Sequence, residues 1–102
     1  MSAILEDRRD AIHAACERFR VVRLDVFGSV LRDDFEPGRS DIDLLVDFGP
    51  MSPFDLVGAY FCLLDALREV LGEEVDLVMV GALKNRYVRE DVDGTKRVLY
   101  PG

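Results

Sequence analysis

Phe27-Gly28-Ser29-Val30-Leu31-Arg32 and Ser40-Asp41-Ile42-Asp43-Leu44-Leu45-Val46 form the stretch whose reading decides the fold. Residues 21–27 are strand-forming, with Val22, Leu24 and Val26 on one face by the two-residue period. Gly28-Ser29 closes that strand in a tight turn. Ser29 is placed to cap a short helix running through Arg32 or Asp33. A second turn follows at residues 35–40, marked by Pro37-Gly38. Residues 41–48 then alternate again. Asp41 and Asp43 fall on one face, and Ile42, Leu44, Val46 and Phe48 fall on the other, where they can bury against helices.

Outward from this stretch the elements alternate between helix and strand. Residues 2–19 place Ile4, Leu5, Ile12, Ala15, Cys16 and Phe19 at helical spacing, with Ser2 as N-cap. Residues 49–53 break the second strand. A helix over residues 54–71 ends at Gly72 as its C′ residue. Its apolar positions span roughly 200°, against the ~100° stripe of an ordinary surface helix, so it either lies deep or meets another chain. Residues 75–80 form a third strand carrying Asp76. Residues 83–92 read as a helix, and residues 96–100 as an edge strand after Asp93-Gly94. With no repeat, linker or low-complexity segment, residues 1–102 read as one domain. The expected class is α/β: a small mixed β-sheet with helices packed on one face.

The 102 residues are 49% hydrophobic, enough for one packed core, and the formal net charge is −7. Residues 1–83 carry a net −9 and residues 84–102 a net +2. An acidic body argues against stable binding of a long nucleic acid, where phosphate neutralisation supplies most of the affinity. It leaves room for a metal-bridged nucleotide, since the cations supply the missing charge. Cys16 and Cys62 form no metal-ligand pair and read as two buried small hydrophobes. No signal peptide or membrane-spanning run is visible, so a reducing cytoplasm is the default.

Taken alone, a Gly-Ser dipeptide is a plain strand exit, and Asp-x-Asp is a solvated strand end. In this order, between two apolar strands, they meet the needs of metal-assisted nucleotidyl transfer. Gly28 lets the backbone approach phosphate, and Ser29 with the N–H groups after it forms an anion site. Asp41 and Asp43 supply hard oxygen ligands for Mg²⁺ or Mn²⁺. Asp76 is an acid inside an apolar strand, costly unless paired or metal-bound. Arg32 lies one helical turn beyond Ser29, within reach of phosphate, though it reads equally as a solvated arginine. Lys84, Arg86 and Arg89 read as a solvated helix face. Arg8-x₄-His13 reads as chance, Asp47 as too far along the strand to join the metal site, and Tyr60 and Phe61 as packing residues.

Phe27-Gly28-Ser29-x-x-Arg32 followed by Ser40-Asp41-x-Asp43-Leu44-Leu45-Val46 resembles the polymerase-beta-like nucleotidyltransferase superfamily. More narrowly, the chain resembles the minimal nucleotidyltransferase antitoxins, from its leading helix to the Glu74-Val75-Asp76-Leu77-Val78 strand. The loop between Ser29 and Asp41 is one residue longer than the family pattern. The resemblance implies Asp41 and Asp43 as metal ligands and Asp76 as third ligand and acceptor base. It also implies Gly28 and Ser29 as holders of the β- and γ-phosphates, with Arg32 as a helper. The implied activity is metal-dependent transfer of AMP from ATP to a tyrosine of a HEPN-type ribonuclease toxin. A non-catalytic antitoxin that covers its toxin is the alternative. Transfer to a small molecule is disfavoured, because the chain lacks an acceptor-binding domain.

Overall fold

A computed structural model describes residues 3–28, 41–80 and 96–101. The described elements are helices α1 (Ala3–Asp7) and α2 (Arg9–Arg18), strands β1 (Arg23–Phe27) and β2 (Ile42–Asp47), helix α3 (Pro53–Leu71), and strands β3 (Val75–Met79) and β4 (Arg97–Tyr100). The strands form one sheet in the order β3-β2-β1-β4. β1 runs antiparallel to both β2 and β4, whereas β2 and β3 are parallel. Parallel neighbours need a long crossover, and α3 is that crossover. The expected mixed sheet is therefore present, with β4 as its edge strand.

One face of the sheet carries the main core. Leu24, Val26, Ile42, Leu44, Val46, Val75 and Leu77 alternate onto it and bury against Leu5, Ile12, Ala15 and Cys16 of the leading helices and Leu63, Leu67 and Leu71 of α3. The opposite face carries a smaller apolar cluster of Phe27, Leu45 and Val78. That second face also takes every odd-numbered residue of β2 and the even-numbered residues of β3. These are the positions of the aspartates.

Local chemistry fixes the ends of α3. The Ser52 hydroxyl accepts the Asp55 N–H at 3.2 Å, Pro53 opens the helix, and Gly72 ends it at φ +67° with its N–H donating to the Arg68 carbonyl at 2.8 Å. Proline suits the first helical position because its missing N–H would be unpaired there. The helix thus starts one residue earlier than its apolar period alone indicates.

Four expectations need correction. The leading helix is divided at Arg8, whose φ −104° and ψ 11° interrupt it, yet Leu5 and Ile12 still both reach the core. Val22 does not join Leu24 and Val26: it precedes β1, donates its N–H to the Asp47 carbonyl and is 53% exposed. Cys62 is exposed, because α3 turns that side to solvent, while Cys16 is buried. Phe61, read as a packing residue, is exposed together with Phe54 and Val57, while Leu63, Leu67 and Leu71 are buried, so of the two alternatives for α3 it does not lie deep all round.

Three further side chains have structural partners. Tyr60 donates its hydroxyl to the Leu77 carbonyl at 2.6 Å, tying α3 to β3. His13 Nε2 donates to the Leu99 carbonyl at 2.7 Å, and its ring packs edge-on against Tyr100. Asp47 Oδ1 accepts the Gly49 N–H at 2.8 Å and shapes the turn after β2. The proposed helix over residues 83–92, the turn at residues 35–40, Ser2, Ser29, Arg32, Lys84, Arg86 and Arg89 lie outside the described residues.

Candidate active site

The strand register assembles the site. Phe27 pairs with Asp43 across β1 and β2, and Asp43 pairs with Asp76 across β2 and β3. Directly opposed residues on neighbouring strands share a face at a strand spacing of about 4.8 Å. Asp43 and Asp76 therefore stand side by side, both half-buried. Two like charges so placed repel one another, which favours a cation between them. Asp41 is exposed and sits one residue ahead of β2. The start of β2 is pinned there by the Ile42 N–H donating to the Glu74 carbonyl at 2.9 Å.

Gly28 closes the same row. It leaves β1 at φ +80°, a conformation that side-chain-bearing residues rarely adopt. A Cβ there would overlap Asp43 Oδ2. The absent side chain thus lets the turn backbone lie against the carboxylate. Carboxylate oxygens are hard donors suited to Mg²⁺ or Mn²⁺. Among the described residues, no three His, Cys, Asp or Glu side chains are gathered into a ready-made metal cluster. The pair that the fold brings together is Asp43 with Asp76.

One acid on this face escaped the sequence reading. Asp25 of β1 is 3% exposed, opposite Leu45 on β2 and Val98 on β4. Both its oxygens lie 3.0 Å from Arg23 Nε, and Oδ2 lies 3.9 Å from Lys96 Nζ. Burying a carboxylate without such partners would be costly. The signal was the one that singled out Asp76, an acid at an alternating position of an apolar strand.

The sequence matches the nucleotidyltransferase domain family over residues 8–98, and the chain belongs to that family. A Methanocaldococcus jannaschii protein named "putative protein adenylyltransferase" is 36% identical over 77 residues, 76% of this chain and 74% of the relative. A second protein of that name from the same organism is 32% identical over 78 residues, with the same shares covered. A solved structure described as a "putative minimal nucleotidyltransferase" superposes with a TM-score of 0.68 at 34% identity, covering 95% of both chains. The α/β fold is thus that of a minimal nucleotidyltransferase. No helix among the described residues is long and apolar enough to cross a membrane.

Proposed function

We propose that this chain is a metal-dependent protein adenylyltransferase that moves AMP from ATP to a tyrosine of a HEPN-type ribonuclease toxin, acting as its antitoxin. The observation that carries the reading is the Asp43–Asp76 pairing beside the positive-φ Gly28. The names borne by the two archaeal relatives support adenylyl transfer to a protein.

In this reading Asp41, Asp43 and Asp76 hold Mg²⁺ or Mn²⁺, which would offset charge on the attacked phosphoryl group and the leaving diphosphate. Gly28 and Ser29 hold the β- and γ-phosphates, with Arg32 assisting. Asp76 accepts the phenolic proton as the tyrosyl oxygen bonds to the α-phosphorus. The bond from that phosphorus to the bridging oxygen breaks, and diphosphate leaves.

Intact-mass spectrometry of the toxin, incubated with this chain, ATP and Mg²⁺, tests the proposal. The expected result is one adenylyl group, or a small multiple, on a toxin tyrosine. The second reading, neutralisation by covering alone, draws on the exposed Phe54, Val57 and Phe61. It wins if the toxin stays unmodified with every nucleoside triphosphate while binding still blocks its ribonuclease activity.

A further inference from the structure

We infer that Lys96 is a phosphate-gripping cation of this site, kept on the aspartate-bearing face by Asp25 as its positioning residue. The inference rests on the nucleotidyl-transfer reading above. The register places the lysine. Val26 pairs with Arg97 and Asp25 with Val98, so one further step sets Lys96 opposite Phe27, the residue before Gly28. The row across the sheet then reads Lys96, Phe27, Asp43, Asp76. Adjacent strands stand about 5 Å apart, and the four-carbon stem of a lysine spans more than that. Its ammonium stands beside Asp25, and a stem of that length is long enough to swing to the Gly28 turn, where the distal phosphates would lie.

The charges on this face make the lysine useful. Its described acids include Asp25, Asp43 and Asp76, while a nucleoside triphosphate brings several negative charges of its own. Among the described strand residues that alternate onto the aspartate-bearing face and the residue leading into β4, the cations are Arg23 and Lys96; Arg97 pairs with Val26 and alternates onto the other face, and Arg23 stands at the far end of β1. Asp25 is shared unequally between them. Arg23 Nε meets both oxygens at 3.0 Å, whereas Lys96 Nζ stands 3.9 Å from one of them. Lys96 can therefore turn to a phosphate while Arg23 still balances the buried carboxylate. Its side chain is one-quarter exposed, enough to meet a ligand without a change of fold.

Calorimetric titration of wild type, Lys96→Met and Lys96→Arg with ATP in Mg²⁺, and separately with AMP, tests the assignment. A charge-assisted contact to phosphate predicts that Lys96→Met weakens ATP binding about tenfold or more. AMP binding should be unchanged, because AMP lacks the distal phosphates, and Lys96→Arg should restore most of the loss. Thermal unfolding of Lys96→Met without nucleotide should still show a single cooperative transition, since Asp25 keeps Arg23. Wild-type ATP affinity in Lys96→Met overturns the inference and leaves the proposed function standing. Parallel loss of ATP and AMP binding with a lowered melting temperature assigns Lys96 a structural role and also overturns it. If wild type itself binds no nucleoside triphosphate, the proposed function falls first.

Discussion

The backbone of Gly28 lies directly against the carboxylate of Asp43, so that a Cβ at residue 28 would overlap Oδ2. The turn that leaves β1 and the acid near the start of β2 are therefore fitted to one another.

Gly28→Ala should suffer twice, from the +80° φ and from the displaced carboxylate. The left-handed backbone alone costs a side-chain-bearing residue about 1–2 kcal/mol. Gly72 is the control: its φ is +67°, but nothing lies within 4 Å of its added Cβ. Urea denaturation should show Gly28→Ala as the less stable variant. ATP binding in Mg²⁺ should weaken at least tenfold in Gly28→Ala and stay unchanged in Gly72→Ala. Equal behaviour of the two variants in both measurements would remove Gly28 from the site.

Arg20 offers a stabilising change far from the aspartates. It holds φ +60° at the end of α2, where the Val21 N–H donates to the Cys16 carbonyl at 2.9 Å. That six-to-one bond is the closure of a helix end in which glycine is the favoured residue. Arg20→Gly relieves the left-handed strain but gives the unfolded chain more freedom. A net gain of about 0.5 kcal/mol, a few degrees in melting temperature, is expected. A lowered melting temperature would mean that the arginine side chain stabilises the fold by more than its backbone strain costs.

The two cysteines should react very differently. Burial pushes the Cys16 thiol up to about 12, whereas Cys62 is exposed. A thiol-exchange reagent at pH 8 should titrate one thiol in the native protein and two in denaturant, and Cys62→Ser should abolish the native reaction. Linkage gives a further sign. The folded state keeps Cys16 protonated above its ordinary value of 9.0, so its contribution is full below pH 9 and declines as pH rises toward 12. Two fast native thiols would contradict the buried position of Cys16.

Much of this arrangement was legible because it is written locally. The strand period placed Asp43 on the face opposite Ile42 and Leu44, and Gly72 marked the end of α3, whereas the Ser52-Pro53 start was read as part of the break before it. The match of Asp43 with Asp76 was only partly legible. Each acid stands out in its own apolar strand, but which residues pair depends on how α3 returns the chain. Asp25 carried the same local signal as Asp76, with its nearer partner Arg23 only two residues away, and so was legible though unread; only its second contact, with Lys96, depends on the β1–β4 pairing. Cys62 and Phe61 were misjudged for a related reason. Helical periodicity gives the width of the apolar arc, but not which part of it the sheet covers.

The aspartates give the most direct test of the site. Mg²⁺ or Mn²⁺ with ATP should raise the melting temperature of wild type, because a ligand that binds only the folded state stabilises it by mass action. The paired change Asp41→Asn and Asp43→Asn should abolish that rise. Asp76→Asn should retain most nucleotide binding, yet slow transfer by ~10²-fold or more, the usual scale for loss of a general base. The register predicts one more effect. Asp43 and Asp76 face each other on neighbouring strands, and opposed like charges destabilise a sheet. Neutralising either one should therefore leave the ligand-free protein at least as stable as wild type. A full ATP-dependent rise in the Asp41→Asn, Asp43→Asn variant would place nucleotide binding elsewhere on the molecule. A marked fall in ligand-free stability would show instead that these carboxylates serve the fold.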